Sequence, residues 1–354
     1  MIDTAFAIPG DIAAPTGGYA YARKVLALLA DYGVQPHHVP LPGSFPDPSN
    51  EDIARTQKIF AGLYPDTVTL IDGLAFGAMQ PAVVDAIEQP IVALVHHPLA
   101  YETGISQAQA QCFQDFETHA LSRARHVVVS SRTTAQLLNK EYGVATKSMT
   151  VAEPGTTHAI RAPGSGHHTT LQLLAVGSII PRKGYADLIK ALIPLTHIDW
   201  HLTIAGAAER DSSCATELRE QILRTGLSAR IVLAGAVGER DLQRLYTTTD
   251  IFVMSSHYEG YGMAISEAIA RGLPIVCTTG GAMAKTAPDD VAIKVPPGNP
   301  EALSEALQRV LVNPELRQHL ANNSWRAASQ LPRWETSIEK IAKIIKSIHQ
   351  ATRT

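Results

Sequence analysis

Three observations on this sequence predict an α/β fold of two doubly wound, Rossmann-like domains, each built on a parallel sheet. Apolar runs of strand length alternate with helical patterns along the whole chain, as in strands joined by crossover helices. The chain has 354 residues, 45% of them hydrophobic, enough for two cores rather than one. Arg161 to Thr170 reads Arg-Ala-Pro-Gly-Ser-Gly-His-His-Thr-Thr, the one stretch with linker character. The expected division is therefore residues 1–162, residues 163–330, and a C-terminal helix over residues 331–354.

Composition excludes several function classes. With a formal net charge of −3, no nucleic-acid partner is expected. No run approaches the length of a membrane span, and the start, Met-Ile-Asp-Thr-Ala-Phe-Ala-Ile-Pro-Gly, has no basic segment before its apolar residues; a cytoplasmic location is expected. Cys112, Cys214 and Cys277 stand far apart, which argues against a zinc site and a disulfide framework. Up to residue 160 there are 9 Lys+Arg against 15 Asp+Glu, so an anionic membrane would repel this half. That favours a soluble partner.

Thr4 to Pro9 reads as the first strand, and Gly17-Gly18 opens a helical pattern that runs to Tyr32 and stops at Gly33. Glycines at a helix start let a ligand approach backbone N–H groups, although the spacing is not Gly-x-Gly-x-x-Gly and gives a dehydrogenase no support. Ser49 with Asp52 predicts a capped helix to about Ala61, Thr67 to Ile71 a strand, and Met79 to Glu88 a helix. Pro90 then breaks the chain, Ile91 to Val95 suits a strand buried on both faces, and His96-His97-Pro98 stands at its carboxyl end. Ligands of open α/β sheets bind at that end. Ser106 to Ser122 and Arg132 to Tyr142 read as helices, with His126 to Val129 and Ser148 to Ala152 as strands.

Beyond the linker, Leu171 to Val176 begins a second sheet, and Gly177-Ser178-Ile179-Ile180-Pro181-Arg182-Lys183-Gly184 precedes a helix to Ile193. Arg182 and Lys183 at a strand's carboxyl end beside a glycine point to phosphate binding. Trp200 to Ala205 and Ile231 to Leu233 are further strands, the latter leading to Gly235-Ala236-Val237.

The most informative stretch follows the buried strand Ile251 to Met254. It reads Ser-Ser-His-Tyr-Glu-Gly-Tyr-Gly-Met-Ala-Ile-Ser-Glu-Ala-Ile-Ala-Arg-Gly from Ser255 to Gly272 and is stopped by Leu273-Pro274. Gly262 lets the backbone come close to a ligand, and the first N–H groups of the helix, on Met263 and Ala264, point outward with the positive end of the dipole behind them. This is a diphosphate cradle. Glu259 lies in the loop and Glu267 just over one turn into the helix, so they are not a single acid/base pair on one helix face. Ile275 to Cys277 and Val291 to Val295 complete the strands, and Pro300 to Val312 and Pro314 to Ala328 the helices. Trp334 opens an amphipathic helix carrying Ile338, Ile341, Ile344, Ile345 and Ile348.

Two glutamates separated by seven residues, Gly-x-Gly after the first, and a small-residue helix ending in Arg-Gly-Leu-Pro together resemble the signature of retaining glycosyltransferases of the GT-B fold, family 4. The resemblance covers nearly the whole chain and is strongest from Leu171 to Gly298. It implies two domains facing a cleft, with a nucleotide-diphosphate sugar as substrate in the C-terminal one, the acceptor in the other, retention at the anomeric carbon, and no metal or cofactor. It places Glu259 at the donor sugar and Glu267 at the ribose hydroxyls, with Tyr261, Gly262, Met263 and Ala264 also on the donor. Gly17 and Gly18 would lie between donor phosphate and acceptor, and backbone groups near Val237 would read the base. The family's sugar-contacting histidine, counted from the strand-opening proline, is His96, with His97 the runner-up. Lys183 matches the family lysine at the leaving diphosphate. Ser178 stands where many members have arginine, and Arg182 is read as restoring that charge from a neighbouring position. Glu153-Pro154-Gly155 departs from the usual Asn-Gly-Val. The C-terminal helix would cross back to the first domain. The alternatives are a phosphorylase or epimerase on the same fold, and a non-catalytic nucleotide-sugar sensor. The base, sugar, acceptor and oligomeric state are not legible.

Overall fold

Burial on both faces drives the apolar runs into parallel strands. A computed structural model describes residues 1–166 and 170–353. In the first sheet β1 (Ile2–Pro9), β2 (Val34–Leu41), β3 (Val68–Asp72), β4 (Ile91–Val95), β5 (His126–Val129) and β6 (Met149–Val151) pair in the order β2-β1-β3-β4-β5-β6. Every pairing is parallel. Winding reverses between β1 and β3, so the loops after these two strands diverge at a switch point. Strand β2 is absent from the sequence reading because Pro36 and Pro40 interrupt it; it tolerates them as an edge strand, with one side unpaired. The helix expected from Met79 to Glu88 is shortened to Pro81–Asp85, and a separate short helix, Gly73–Phe76, precedes it. Pro81 has no N–H to continue a helix and starts a new one instead.

The second sheet contains β7 (Leu171–Val176), β8 (Trp200–Ala205), β9 (Ile231–Gly235), β10 (Ile251–Met254), β11 (Ile275–Thr278) and β12 (Ala292–Val295) in the order β12-β11-β10-β7-β8-β9. These pairings too are parallel. Successive side chains enter opposite layers: Leu173 and Val253 join the core under Leu188 and Leu307, whereas Leu174 and Phe252 join that under Ile265 and Ile269. The switch point lies between β7 and β10. The loops after those strands are the two that carry Arg182-Lys183 and Glu259.

The chain divides into one unit of Met1–Gly155 with Pro332–Thr354 and another of Thr156–Leu331. The break falls after Gly155 rather than at Ala162, because the Ala162 N–H donates to Arg271 O at 2.9 Å and the Ser165 N–H to Asp250 Oδ1 at 2.9 Å. Those bonds fasten the start of the expected hinge to the second unit; residues 167–169 of that hinge lie outside the described residues.

The C-terminal helix Trp334–Thr352 packs within the first unit, burying Ile338, Ile341 and Ile345. Lys340 Nζ donates to Val151 O at 2.9 Å, and Ser337 Oγ donates to Glu153 O. Trp334 meets Tyr21 edge-on at 5.3 Å, and Tyr21 in turn meets His96 edge-on at 5.2 Å. Gly155 makes this docking possible, since a Cβ there would stand 2.1 Å from Trp334 N. Gly155→Ala therefore has to push the helix off the sheet, and is expected to cost about 1–3 kcal/mol and lower Tm by several degrees, read by thermal denaturation. An unchanged Tm would mean that Trp334 does not seat there.

Candidate active site

In the second unit the loops at the switch point are tied together by backbone. The His257 N–H donates to Arg182 O at 2.7 Å, and Ser255 Oγ donates to Lys183 O at 3.0 Å. Gly184, at φ +63°, permits this approach, because a Cβ would fall 2.2 Å from Ser255 O. The fixed loops turn three charged side chains inward. Lys183 Nζ donates to Glu259 Oε1 at 2.7 Å, and Arg182 Nη1 lies 3.3 Å from Glu259 Oε2 while donating to Tyr258 O at 2.7 Å. Ser256 Oγ also donates to Glu259 Oε1 at 2.7 Å. Glu259 is buried. Burial alone would raise its pKa, but the Lys183 and Arg182 cations and the hydrogen bonds from Lys183 and Ser256 outweigh that and hold the carboxyl at about 2. Two cations around one carboxylate leave a positive surplus beside the loop.

Gly262, in the left-handed region at φ +93°, turns the chain into the helix Met263–Ile269. Met263 and Ala264 are half-buried, and as the helix's first residues their N–H groups have no acceptor within it. Tyr261 is buried, and its hydroxyl lies 3.4 Å from Ser266 Oγ. Glu267 has a different environment from Glu259. Its Oε2 accepts from Tyr246 Oη at 2.9 Å, and burial raises its pKa despite that bond and the Arg271 charge. Arg271 lies over the Tyr246 ring at 4.4 Å and donates to Glu267 O and to Gln243 Oε1, each at 2.6 Å. Val237 is half-buried after β9, packed against the core that contains Ile265.

In the first unit Thr16 caps the helix Gly17–Leu28, and Gly18 lies against His96: a Cβ on Gly18 would be 3.4 Å from the imidazole Cδ2. The structure separates the two histidines. His97 Nε2 is 3.3 Å from Glu102 Oε2. His96 Nε2 is buried with no hydrogen-bond partner, and burial, reinforced by the neighbouring His97, lowers its pKa to about 4. The imidazole is therefore neutral at pH 7. Asp72 Oδ2 lies 3.8 Å from that nitrogen.

Ser256, Tyr246 and Asp72 were not singled out by sequence. Asp72 gave a signal, a carboxylate at the end of an apolar strand, whereas Ser256 and Tyr246 act through contacts that no local pattern encodes. Arg182 and Lys183 converge with Glu259; Glu267 sits apart in its own pocket of partners.

Residues 159–326 match the family described as glycosyl transferases group 1. The chain is 23% identical over 307 residues to an MMP alpha-(1->4)-mannosyltransferase of Mycolicibacterium hassiacum, covering 82% of this chain and 73% of that one. It is 33% identical to mannosylfructose-phosphate synthase of Agrobacterium fabrum over 117 residues, 31% of this chain and 26% of the relative. In structure it is similar to sucrose-phosphate synthase of Thermosynechococcus elongatus, with a TM-score of 0.83, 20% identity and coverage of 99% and 100% of the two chains. The two parallel-sheet units have the GT-B fold.

The low pKa of Glu259 has a testable sign. Its folded value lies below the ordinary carboxylate range, so the stabilisation is complete above about pH 4.5 and drains as pH falls toward 2. Glu259→Gln is expected to cost about 3 kcal/mol at pH 7, since it removes the carboxylate with which Lys183 and Arg182 pair, and to flatten the fall of Tm between about pH 5 and pH 2. Parallel Tm–pH curves for the two proteins would mean that the ion cluster does not form.

Proposed function

We propose that the chain is a glycosyltransferase of group 1 and that it moves a sugar from a nucleotide-diphosphate sugar to a soluble, hydroxyl-bearing acceptor, with retention and without a metal ion. The observation that carries this reading is the cluster of Arg182, Lys183 and Glu259 beside the N-terminus of the helix Met263–Ile269. A leaving diphosphate needs positive charge that is already in place when the glycosidic bond breaks. The surplus charge of Arg182 and Lys183 supplies it, and the N–H groups of Met263 and Ala264 add hydrogen bonds along the same chain.

The two glutamates divide the remaining work. Glu259 is held ionised and is suited to stabilise positive charge growing on the sugar ring. Glu267, braced by Tyr246, is suited to hold ribose hydroxyls. Val237 borders the base, and Gly17, Gly18 and His96 belong to the sugar and acceptor side. The C1–O bond to phosphate breaks as the acceptor oxygen bonds to C1 on the same face, and the acceptor's proton passes to the leaving phosphate oxygen. The acidic first half supports a soluble acceptor and work in the cytoplasm. Among the described residues no helix is long and apolar enough to cross a membrane.

A thermal-shift screen of UDP-, GDP- and ADP-sugars is expected to identify the donor by a raised Tm. Turnover of that donor should persist in EDTA; activity that vanishes and returns only with Mn²⁺ or Mg²⁺ would overturn the charge assignment. Lys183→Ala should lower transfer by more than Arg182→Ala, with charge-assisted phosphate contacts worth about 1.5–3 kcal/mol each. Glu267→Gln should weaken nucleoside diphosphate and sugar nucleotide alike, raising KM, while Glu259→Gln depresses kcat and keeps diphosphate binding in calorimetry. The reverse split would exchange the two roles.

A further inference from the structure

The helix Tyr185–Leu192 begins at Gly184, which has no side chain to cap its first N–H groups. It follows directly on Arg182 and Lys183, so a frayed first turn would let both cations shift. His257 meets the chain on both sides of Gly184. Its N–H donates to Arg182 O at 2.7 Å, and its Nε2 lies 3.1 Å from Asp187 Oδ2 in the first turn of that helix. An ionised carboxylate only accepts, so that nitrogen carries the hydrogen. Asp187 is itself steadied: its N–H donates to Gly184 O at 3.1 Å, and Lys190 Nζ donates to its Oδ1 at 3.3 Å. The ring reaches this place because Gly184 lacks a Cβ, which would stand 3.1 Å from His257 Cδ2.

The backbone of His257 is fixed independently of its ring. The chain after β11 lies flush on its carbonyl, where a Cβ on Gly280 would stand 2.1 Å from His257 O, and the N–H bond to Arg182 O is one that any residue except proline can make. Only the side chain ties the helix. At 35% exposed the imidazole is no part of a core, so its removal leaves a dent open to water rather than a cavity. What the ring contributes is therefore the placing of the turn that carries Arg182 and Lys183.

We propose that His257 is a positioning residue for diphosphate binding: through Asp187 it holds the first turn of the helix Tyr185–Leu192, and so keeps Arg182 and Lys183 where a nucleoside diphosphate meets them. The proposal rests on the glycosyltransferase reading, in which those two cations face the diphosphate, and adds a residue that acts on them without touching the ligand. A nucleoside without phosphates makes no use of this clamp. Its contribution is thus to the diphosphate and not to the base or the ribose.

The test compares wild type, His257→Ala, His257→Gln, Asp187→Ala and Lys183→Ala in calorimetry with UDP, GDP and ADP and with the matching nucleosides. On whichever diphosphate the wild type binds, His257→Ala and Asp187→Ala should each weaken affinity by about tenfold, while Tm stays within about 2 °C and nucleoside affinity within about twofold. The double variant of His257→Ala and Asp187→Ala should lose no more than the larger single loss, because the two residues form one contact. His257→Gln, whose amide can donate to Asp187, should recover part of the loss. Added to Lys183→Ala, His257→Ala should cost less than in wild type, since one of the cations it places is gone. Diphosphate affinity within about twofold of wild type in both single variants overturns the proposal, as do additive losses and equal losses of diphosphate and nucleoside. An undiminished loss on top of Lys183→Ala overturns it too, because the ring would then touch the ligand itself. Should His257→Ala not fold, Asp187→Ala and His257→Gln read the same contact by the same criteria. If wild type binds none of the three diphosphates, or Lys183→Ala leaves their affinity unchanged, it is the glycosyltransferase reading beneath the proposal that is overturned.

Discussion

The second unit depends on one buried contact, the Glu259 carboxylate between Lys183 and Arg182. Three charges out of water would be a heavy cost if they were loosely arranged. Here the cost is met by fixing both loops before the side chains meet. Gly184 allows the loop of Arg182 and Lys183 to lie against Ser255, and Gly281 lets the chain after β11 press against Glu259, whose carbonyl accepts the Ala282 N–H at 2.8 Å. The parallel sheet supplies the rest, because the pairing of β7 with β10 brings residues 183 and 259 together although they are far apart in sequence. Local glycine geometry, strand order and site electrostatics are thus one constraint.

The first unit follows the same topological rule with different chemistry. Its switch point presents Gly18, Asp72 and His96, of which the histidine is neutral at pH 7. A neutral imidazole and a carboxylate suit uncharged hydroxyls, whereas the cation surplus of the second unit suits phosphate. The charge count along the sequence points the same way, with the acidic excess confined to the first half. Within the first unit the support runs from the C-terminal helix through Trp334 and Tyr21 to His96, so a helix remote in sequence steadies the ring.

Much of this was legible from sequence for identifiable reasons. Gly262, Lys183 and Glu259 sit in loops whose local spacing carries their chemistry, and the strands that position them are uninterrupted apolar runs. Legibility failed where long-range pairing overrides local pattern. Strand β2 contains two prolines and exists because β1 offers it an edge. The boundary after Gly155 depends on hydrogen bonds from Ala162 and Ser165 to residues about 85 to 110 positions away, which composition cannot reveal. Ser256 and Tyr246 matter because of where folding brings their hydroxyls.

The contrast between Glu259 and Glu267 shows why spacing alone could not assign their roles. Seven residues separate two chemically identical side chains, yet the fold surrounds one with cations and braces the other with a phenol. Glu259, with its pKa held low, keeps its charge under nearly all conditions, which is what a group opposing transient positive charge requires. Glu267, with its pKa raised by burial, carries a charge that the site favours less and that donating hydroxyls would stabilise. Ligand hydroxyls would therefore do for Glu267 what Lys183 and Arg182 already do for Glu259. The first glutamate is satisfied by two cations of the protein, the second is braced by a phenol alone, and that difference is fixed by tertiary neighbours rather than by the motif.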